Sequence, residues 1–142
     1  MEHNFYENPL LTRYASVEMS EIFSDKIKMQ LWRKLWIALA QSEKELGLNI
    51  TDEQIADLKK YENDINWNTA HEREKIVRHD VMAHVYAYGE QAKSAKPIIH
   101  LGATSCYVTD NAEIIMIHKA LEIIKKKLIT LIDKLSQFSL KN

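Results

Sequence analysis

Thr104 and Ser105 stand side by side in the stretch PIIHLGATSCYVTDN, residues 97–111, just after Gly102. Two hydroxyls and their backbone N–H groups can grip a carboxylate without bringing a charge of their own. Gly102 lets the chain approach closely or take a positive φ. The same pair would equally serve as caps for a following helix. A second group is Arg78, His79 and Asp80, consecutive at the expected start of another helix. A helix N-terminus offers free N–H groups and positive potential to an anion. Arginine adds a planar fork for phosphate or carboxylate. Histidine adds a donor, and Asp80 either orients His79 or caps the helix. An ordinary charged surface turn has the same composition. Arg13 and Tyr14 follow Pro9 and either close over a phosphate or pin the N-terminal arm.

Other chemistries find little support. Six histidines raise the question of a metal. Paired ligands on one helix face sit at i and i+4, whereas His79 and His84 point about 140° apart at 100° per residue. No metal site is expected. The single cysteine, Cys106, excludes an internal disulfide and a multi-cysteine zinc site. With no activating base at hand, it reads as a small buried core residue. No glycine-rich phosphate loop or dinucleotide fingerprint occurs.

The elements that position these groups read as helices throughout. Three Gly and two Pro in 142 residues leave few breaks. ENPLLTRYAS reads as extended, because Pro9 disfavours helix before and through itself. VEMSEIFS is a short helix ending near Ser24. DKIKMQLWRKLWIALAQSEKELG is amphipathic, with Asp25 as expected N-cap, Gly47 as C-cap signal, and Trp32 and Trp36 as core anchors. Thr51 and Gln54 form a capping box. Asn68 is the expected cap of TAHEREKIVRH. HDVMAHVYAYGEQAKSA is a helix that Gly89 does not end, with Val81, Val85 and Tyr88 on one side. From Asn111 onward, Ile117, Ile124 and Leu131 recur in heptads, as do Leu121, Leu128 and Leu135. That seam wants helical neighbours. No cap signal closes this helix, which is expected to be cut at Asn142.

Hydrophobic residues are 46% and charged residues 27%, with 19 Lys plus Arg against 20 Asp plus Glu. One globular domain's worth of chain follows, and a general nucleic-acid binder is disfavoured. No apolar run reaches the ~18 residues of a membrane span, and no basic-then-apolar leader opens the chain. The cytoplasm is the expected compartment.

NPLLTRYAS, LWRKLWIALA, EKELGL, RHDVMAHVYAYGE and IIHLGATSCYVTDN occur in this order. Together they resemble the N-terminal region of the adenylosuccinate lyase family, in the fumarase/aspartase superfamily, from about Asn8 to the end. The resemblance implies an all-α fold, with residues 1–110 as a helical N-terminal lyase domain and 111–142 as the start of a central helical bundle. It implies β-elimination of fumarate from adenylosuccinate to give AMP, and from SAICAR to give AICAR, in purine biosynthesis, without a cofactor. It implies a homotetramer whose active sites are shared between subunits. By position, Arg13 and Tyr14 match phosphate-binding residues. Arg78, His79 and Asp80 match the family motif at the nucleotide, with His79 a phosphate contact or acid candidate. Thr104 and Ser105 match the pair that grips the succinyl carboxylate. The family's general acid and its serine base lie in motifs absent from these 142 residues, so the chain alone is expected to bind and not to turn over. The alternative is a non-enzymatic helical interaction module built on the heptads.

Overall fold

A computed structural model describes residues 8–141; the reading of the opening residues as free of a leader falls outside them. Six α-helices follow in order: α1 (Val17–Ile22), α2 (Asp25–Glu45), α3 (Asp52–Lys60), α4 (Trp67–Val77), α5 (Asp80–Gln91) and α6 (Ser105–Lys141). There is no strand among the described residues, as expected of an all-α chain.

α2 is the central element. Trp32 and Trp36 are fully buried on it and meet edge to face at 6.2 Å. Around them pack Leu58 of α3, Val81 and Tyr88 of α5, and Val108, Ala112 and Met116 of α6. Burying two indoles contributes several kcal/mol by area alone. Ala112 is a small, fully buried residue of α6 in the core cluster around α2. The Tyr107 hydroxyl donates to the Leu35 carbonyl at 2.9 Å and ties the start of α6 to the middle of α2.

A buried arginine joins α3 to α5. Arg33 is 2% exposed. Its Nη1 donates to the carbonyls of Tyr61 and Asp64, and its Nη2 to Gln91 Oε1 at 2.7 Å. The guanidinium lies 4.2 Å from the Tyr88 ring centroid. Burial draws its pKa down to about 10, so it remains a cation at neutral pH. The Tyr88 hydroxyl adds a bond to the Leu58 carbonyl at 2.7 Å.

The caps refine the sequence reading. Ser24, not Asp25, caps α2, accepting from the Ile27 N–H; Asp25 is the first helical residue, where its charge suits the dipole. Gly47 takes φ +94, and the Leu48 and Gly47 N–H groups close back on Glu43 and Lys44. This is a Schellman ending. The Thr51–Gln54 capping box is present. Asn66, not Asn68, caps α4, and that choice places Trp67 in the first turn, against His71 and His84. Gly89 lies inside α5 because Lys96 passes over it: a Cβ there would meet Lys96 Cγ at 2.8 Å.

Three further expectations are overturned. Residues Leu10–Tyr14 form a π-helical turn instead of an extended arm. Pro9 sits before the turn, where a missing N–H costs nothing, and Asn8 supplies the acceptors for the Leu10, Leu11 and Thr12 N–H groups. Cys106 is exposed, since the first turn of α6 directs Val108 inward instead. The helix expected from Asn111 begins at Ser105. The heptad seam, read as wanting helical neighbours, is uncovered within one copy: Ile117, Leu121, Ile124, Leu128, Leu131 and Leu135 are 44–56% exposed. The buried stripe of α6 is Val108, Ala112, Met116 and Ala120, a different face.

Candidate functional site

The two groups singled out in the sequence meet. Ser105 Oγ lies 3.3 Å from His79 Nε2. α4 and α5 form a helical hairpin whose turn holds Arg78 and His79. Arg78 adopts a left-handed conformation, φ +50, its N–H bonded to the Glu74 carbonyl at 2.7 Å, and His79 is extended. This places His79 as the N-cap of α5, with Asp80 in the first turn. A non-glycine residue in the left-handed region costs about 1–2 kcal/mol, which the helix ends on both sides sustain.

The tautomer of His79 follows from its bonds. Nδ1 accepts the Met82 N–H at 3.4 Å, so a neutral ring carries its proton on Nε2. That N–H faces Ser105 Oγ and donates to it. A histidine acting as base toward a serine needs the opposite tautomer, which would forfeit the helix cap. The pair is therefore built as a set of donors, not as an activated nucleophile. Asp80 accepts the Val81 N–H at 2.7 Å and stands 3.7 Å from His79 Nδ1.

Thr104 precedes α6 and accepts the Cys106 N–H through Oγ1 at 3.3 Å. The hydroxyl protons of Thr104 and Ser105 remain available to an incoming acceptor. They sit at the N-terminus of a 37-residue helix, whose positive end adds to their pull on an anion. Gly102 takes φ +63, which sets the turn into this terminus. Thr104 thus caps the first turn of α6.

His100 is the residue that the sequence did not single out. It lies in the same loop with φ +64, and its Nδ1 accepts the Trp36 Nε1–H at 3.0 Å. Partial burial, then the charge of nearby His79, lower its pKa from the ordinary histidine value. Neither motif spacing nor periodicity points to it; the signal is the partner, a core tryptophan far away in sequence. Beside the site a groove of about 430 Å³ runs along Arg73, Val77, His79, Met82, Val85, Tyr86 and Lys96. Arg73 and Lys96 both hold their charges over the Tyr86 ring, at 4.6 and 5.2 Å.

Arg13 and Tyr14 are not brought to this pair within one copy. Both are exposed, and no described residue gives either side chain a hydrogen bond or ion pair. The neighbouring α1 lies against the far part of α6: Glu18 shares a groove with Ile123, Lys126 and Thr130. At 1.5 Å rise per residue that is roughly 27 Å along α6 from Ser105. Arg78 is exposed and borders a shallow depression with His71, Glu74 and Lys75. No group of three or more metal-ligating side chains occurs among the described residues.

The chain is 51% identical to adenylosuccinate lyase of Schistosoma mansoni over 96% of its own length and 28% of that enzyme. It is 48% identical to adenylosuccinate lyase of Schizosaccharomyces pombe, over 99% of the chain and 30% of the enzyme. The Saccharomyces cerevisiae enzyme gives 49%, over 98% and 30%. The family it resembles is adenylosuccinate lyase. The chain spans less than a third of the length of these lyases. No protein-family model matches the chain. The lyase-like strings seen in the sequence are the ones the fold uses: the α4–α5 turn holds RHD, and the entry to α6 holds GATS. Among the described residues no helix is long and apolar enough to cross a membrane.

Proposed function

We propose that this chain contributes the anion-binding part of an adenylosuccinate lyase active site. The observation that carries the proposal is the 3.3 Å approach of Ser105 to His79, which joins two motifs 26 residues apart into one donor surface. Thr104 and Ser105 receive the carboxylate of the succinyl group. Arg78 and His79 face the nucleotide, with Asp80 holding the turn. Arg13 and Tyr14 bind the phosphate of a site completed by a neighbouring copy, in keeping with the place of the adjoining α1 far along α6 from Ser105. The reaction is a β-elimination that releases fumarate from adenylosuccinate or SAICAR, leaving AMP or AICAR. It requires a base beside the carboxylate, donors that stabilise the growing negative charge, and an acid at the leaving nitrogen. The residues described here supply the donors. His79 holds its Nε2 proton toward Ser105 and serves as a contact in place of the acid. Acid and base come from outside these 142 residues, and the reaction takes place in the cytoplasm.

Assembly into a homotetramer follows from the same reading. The uncovered apolar stripe from Ile114 to Leu140 supports it, and supports equally the rival reading of a helical interaction module. Calorimetry with AMP and with fumarate separates the two. The lyase reading expects binding of both, weakened by Ser105→Ala for fumarate and by Arg78→Ala for AMP. An associating chain that binds neither refutes it. Fumarate release by the purified chain from adenylosuccinate would refute the statement that acid and base lie elsewhere.

A further inference from the structure

We propose that Trp36 is a positioning residue: its indole N–H holds His100 in the tautomer with the proton on Nε2 and turns that N–H out of the core. The bond is 3.0 Å long and its direction is not in question, because an indole nitrogen only donates. His100 Nδ1 must therefore be the unprotonated nitrogen, and the proton lies on the far side of the ring. Trp36 is itself immobile. It is 1% exposed and held between Trp32 at 6.2 Å and Tyr88 at 6.0 Å. The two rings meet nearly at right angles, at 82°, so the imidazole presents its edge to the indole. The left-handed backbone at His100, φ +64, delivers the ring to that position. His79 reaches the same tautomer by a different route, through the backbone N–H of Met82. Two imidazoles from separate elements thus carry the proton on Nε2, that of His79 facing Ser105, each fixed from behind by a group that can only donate.

A contrast on the same helix argues that this is a specific use. Trp32 is equally buried, yet its Nε1–H has no partner among the described residues. Packing alone accounts for Trp32 and does not account for the Trp36 bond. The lock stands independently of the proposed function. Its use, giving a second imidazole donor to a substrate anion, rests on that function.

The test is the His100 tautomer in the full 142-residue chain with ¹⁵N-labelled histidine. Long-range ¹H–¹⁵N spectra are recorded on wild type, Trp36→Phe and Trp32→Phe. Wild type should show a pyridine-type Nδ1 and a pyrrole-type Nε2 at His100, with a bias of roughly tenfold, about 1.4 kcal/mol. Trp36→Phe should lose most of that bias and give averaged nitrogen shifts. Trp32→Phe, a loss of similar bulk, should leave His100 as in wild type. Identical His100 shifts in wild type and a folded Trp36→Phe overturn the proposal. Should that variant fail to fold, wild type decides alone, since a proton on Nδ1 or averaged tautomers overturns it equally. Titration with fumarate reads the other question separately: a fixed tautomer with no response to fumarate or AMP counts against the lyase reading and leaves the lock standing.

Discussion

Acid should unfold this chain through His84. The residue is 8% exposed and stands edge-on to Trp32 at 5.7 Å and to Trp67 at 6.0 Å. Burial, and then the cation of Arg33, depress its pKa from 6.5 to about 4. Asp80 and Asp25 pull the other way, and His71 adds to the depression. The folded state therefore holds a neutral ring where the unfolded chain takes a proton below pH 6.5. Stability from this group is complete above about 6.5 and drains away as pH falls toward 4, because the unfolded state binds more protons across that window. At 1.36 kcal/mol per pKa unit the ceiling is about 3 kcal/mol, and about 2 after allowing for residual solvent screening. Urea unfolding followed by tryptophan fluorescence at pH 7.5 and 4.5, in wild type and His84→Phe, measures it. Carboxylate protonation and His100 affect both proteins alike, so the difference between them isolates His84. Parallel stability curves for the two would refute the reasoning. The consequence reaches the site, since α5 begins at the cap that His79 provides.

Arg33→Met should cost only about 1–2 kcal/mol, because the guanidinium escapes its burial penalty and Asp64 O keeps the Gln91 bond. Arg33→Lys should cost about 1 kcal/mol more than Met, since an ammonium stays buried without the fork that reaches three acceptors; chemical denaturation in which Lys outranks Met contradicts this. Gly102→Ala should cost about 1 kcal/mol by thermal unfolding, from the positive φ alone, as its Cβ would meet Glu43 Oε1 at an ordinary 3.7 Å. Arg78→Gly should be neutral or stabilising by up to about 1 kcal/mol, relieving φ +50, while weakening AMP binding in calorimetry. A variant that loses stability and keeps affinity would assign Arg78 to the scaffold.

Local rules carried much of this fold. The capping box at Thr51, the stop at Gly47 and the two tryptophans depend on near neighbours or on simple burial, and they read directly. Cap positions slipped where two residues of capping type lie together: Ser24 beside Asp25, and Asn66 near Asn68. Propensity ranks such pairs alike. What chose Asn66 was tertiary, the need to set Trp67 against His84. Pro9 misled because proline is barred from helix interiors and welcome at their starts. In the candidate site, RHD and the Thr104–Ser105 pair were visible as residue types, but their approach was not, since nothing in a linear spacing measures distance between a helix turn and a helix start. Cys106 went wrong because its burial depended on which face of α6 meets α2, and Val108 and the alanines decide that.

The non-glycine left-handed residues among those described are Arg78 and His100. One precedes His79 directly, and the other lies in the loop that ends at Ser105. Strain of this kind persists only where the surroundings over-determine it, and both surroundings are identifiable: the Glu74 carbonyl for Arg78, the Trp36 indole for His100. Were these turns mere connections, glycine or asparagine would make them at less expense, as Gly47 does at the end of α2. An arginine and a histidine are held there instead, one next to His79 in sequence and one in the loop that leads to Ser105. The core reaches one of these turns directly, and there its two most buried tryptophans differ: the Trp32 indole N–H has no partner among the described residues, and that of Trp36 holds His100.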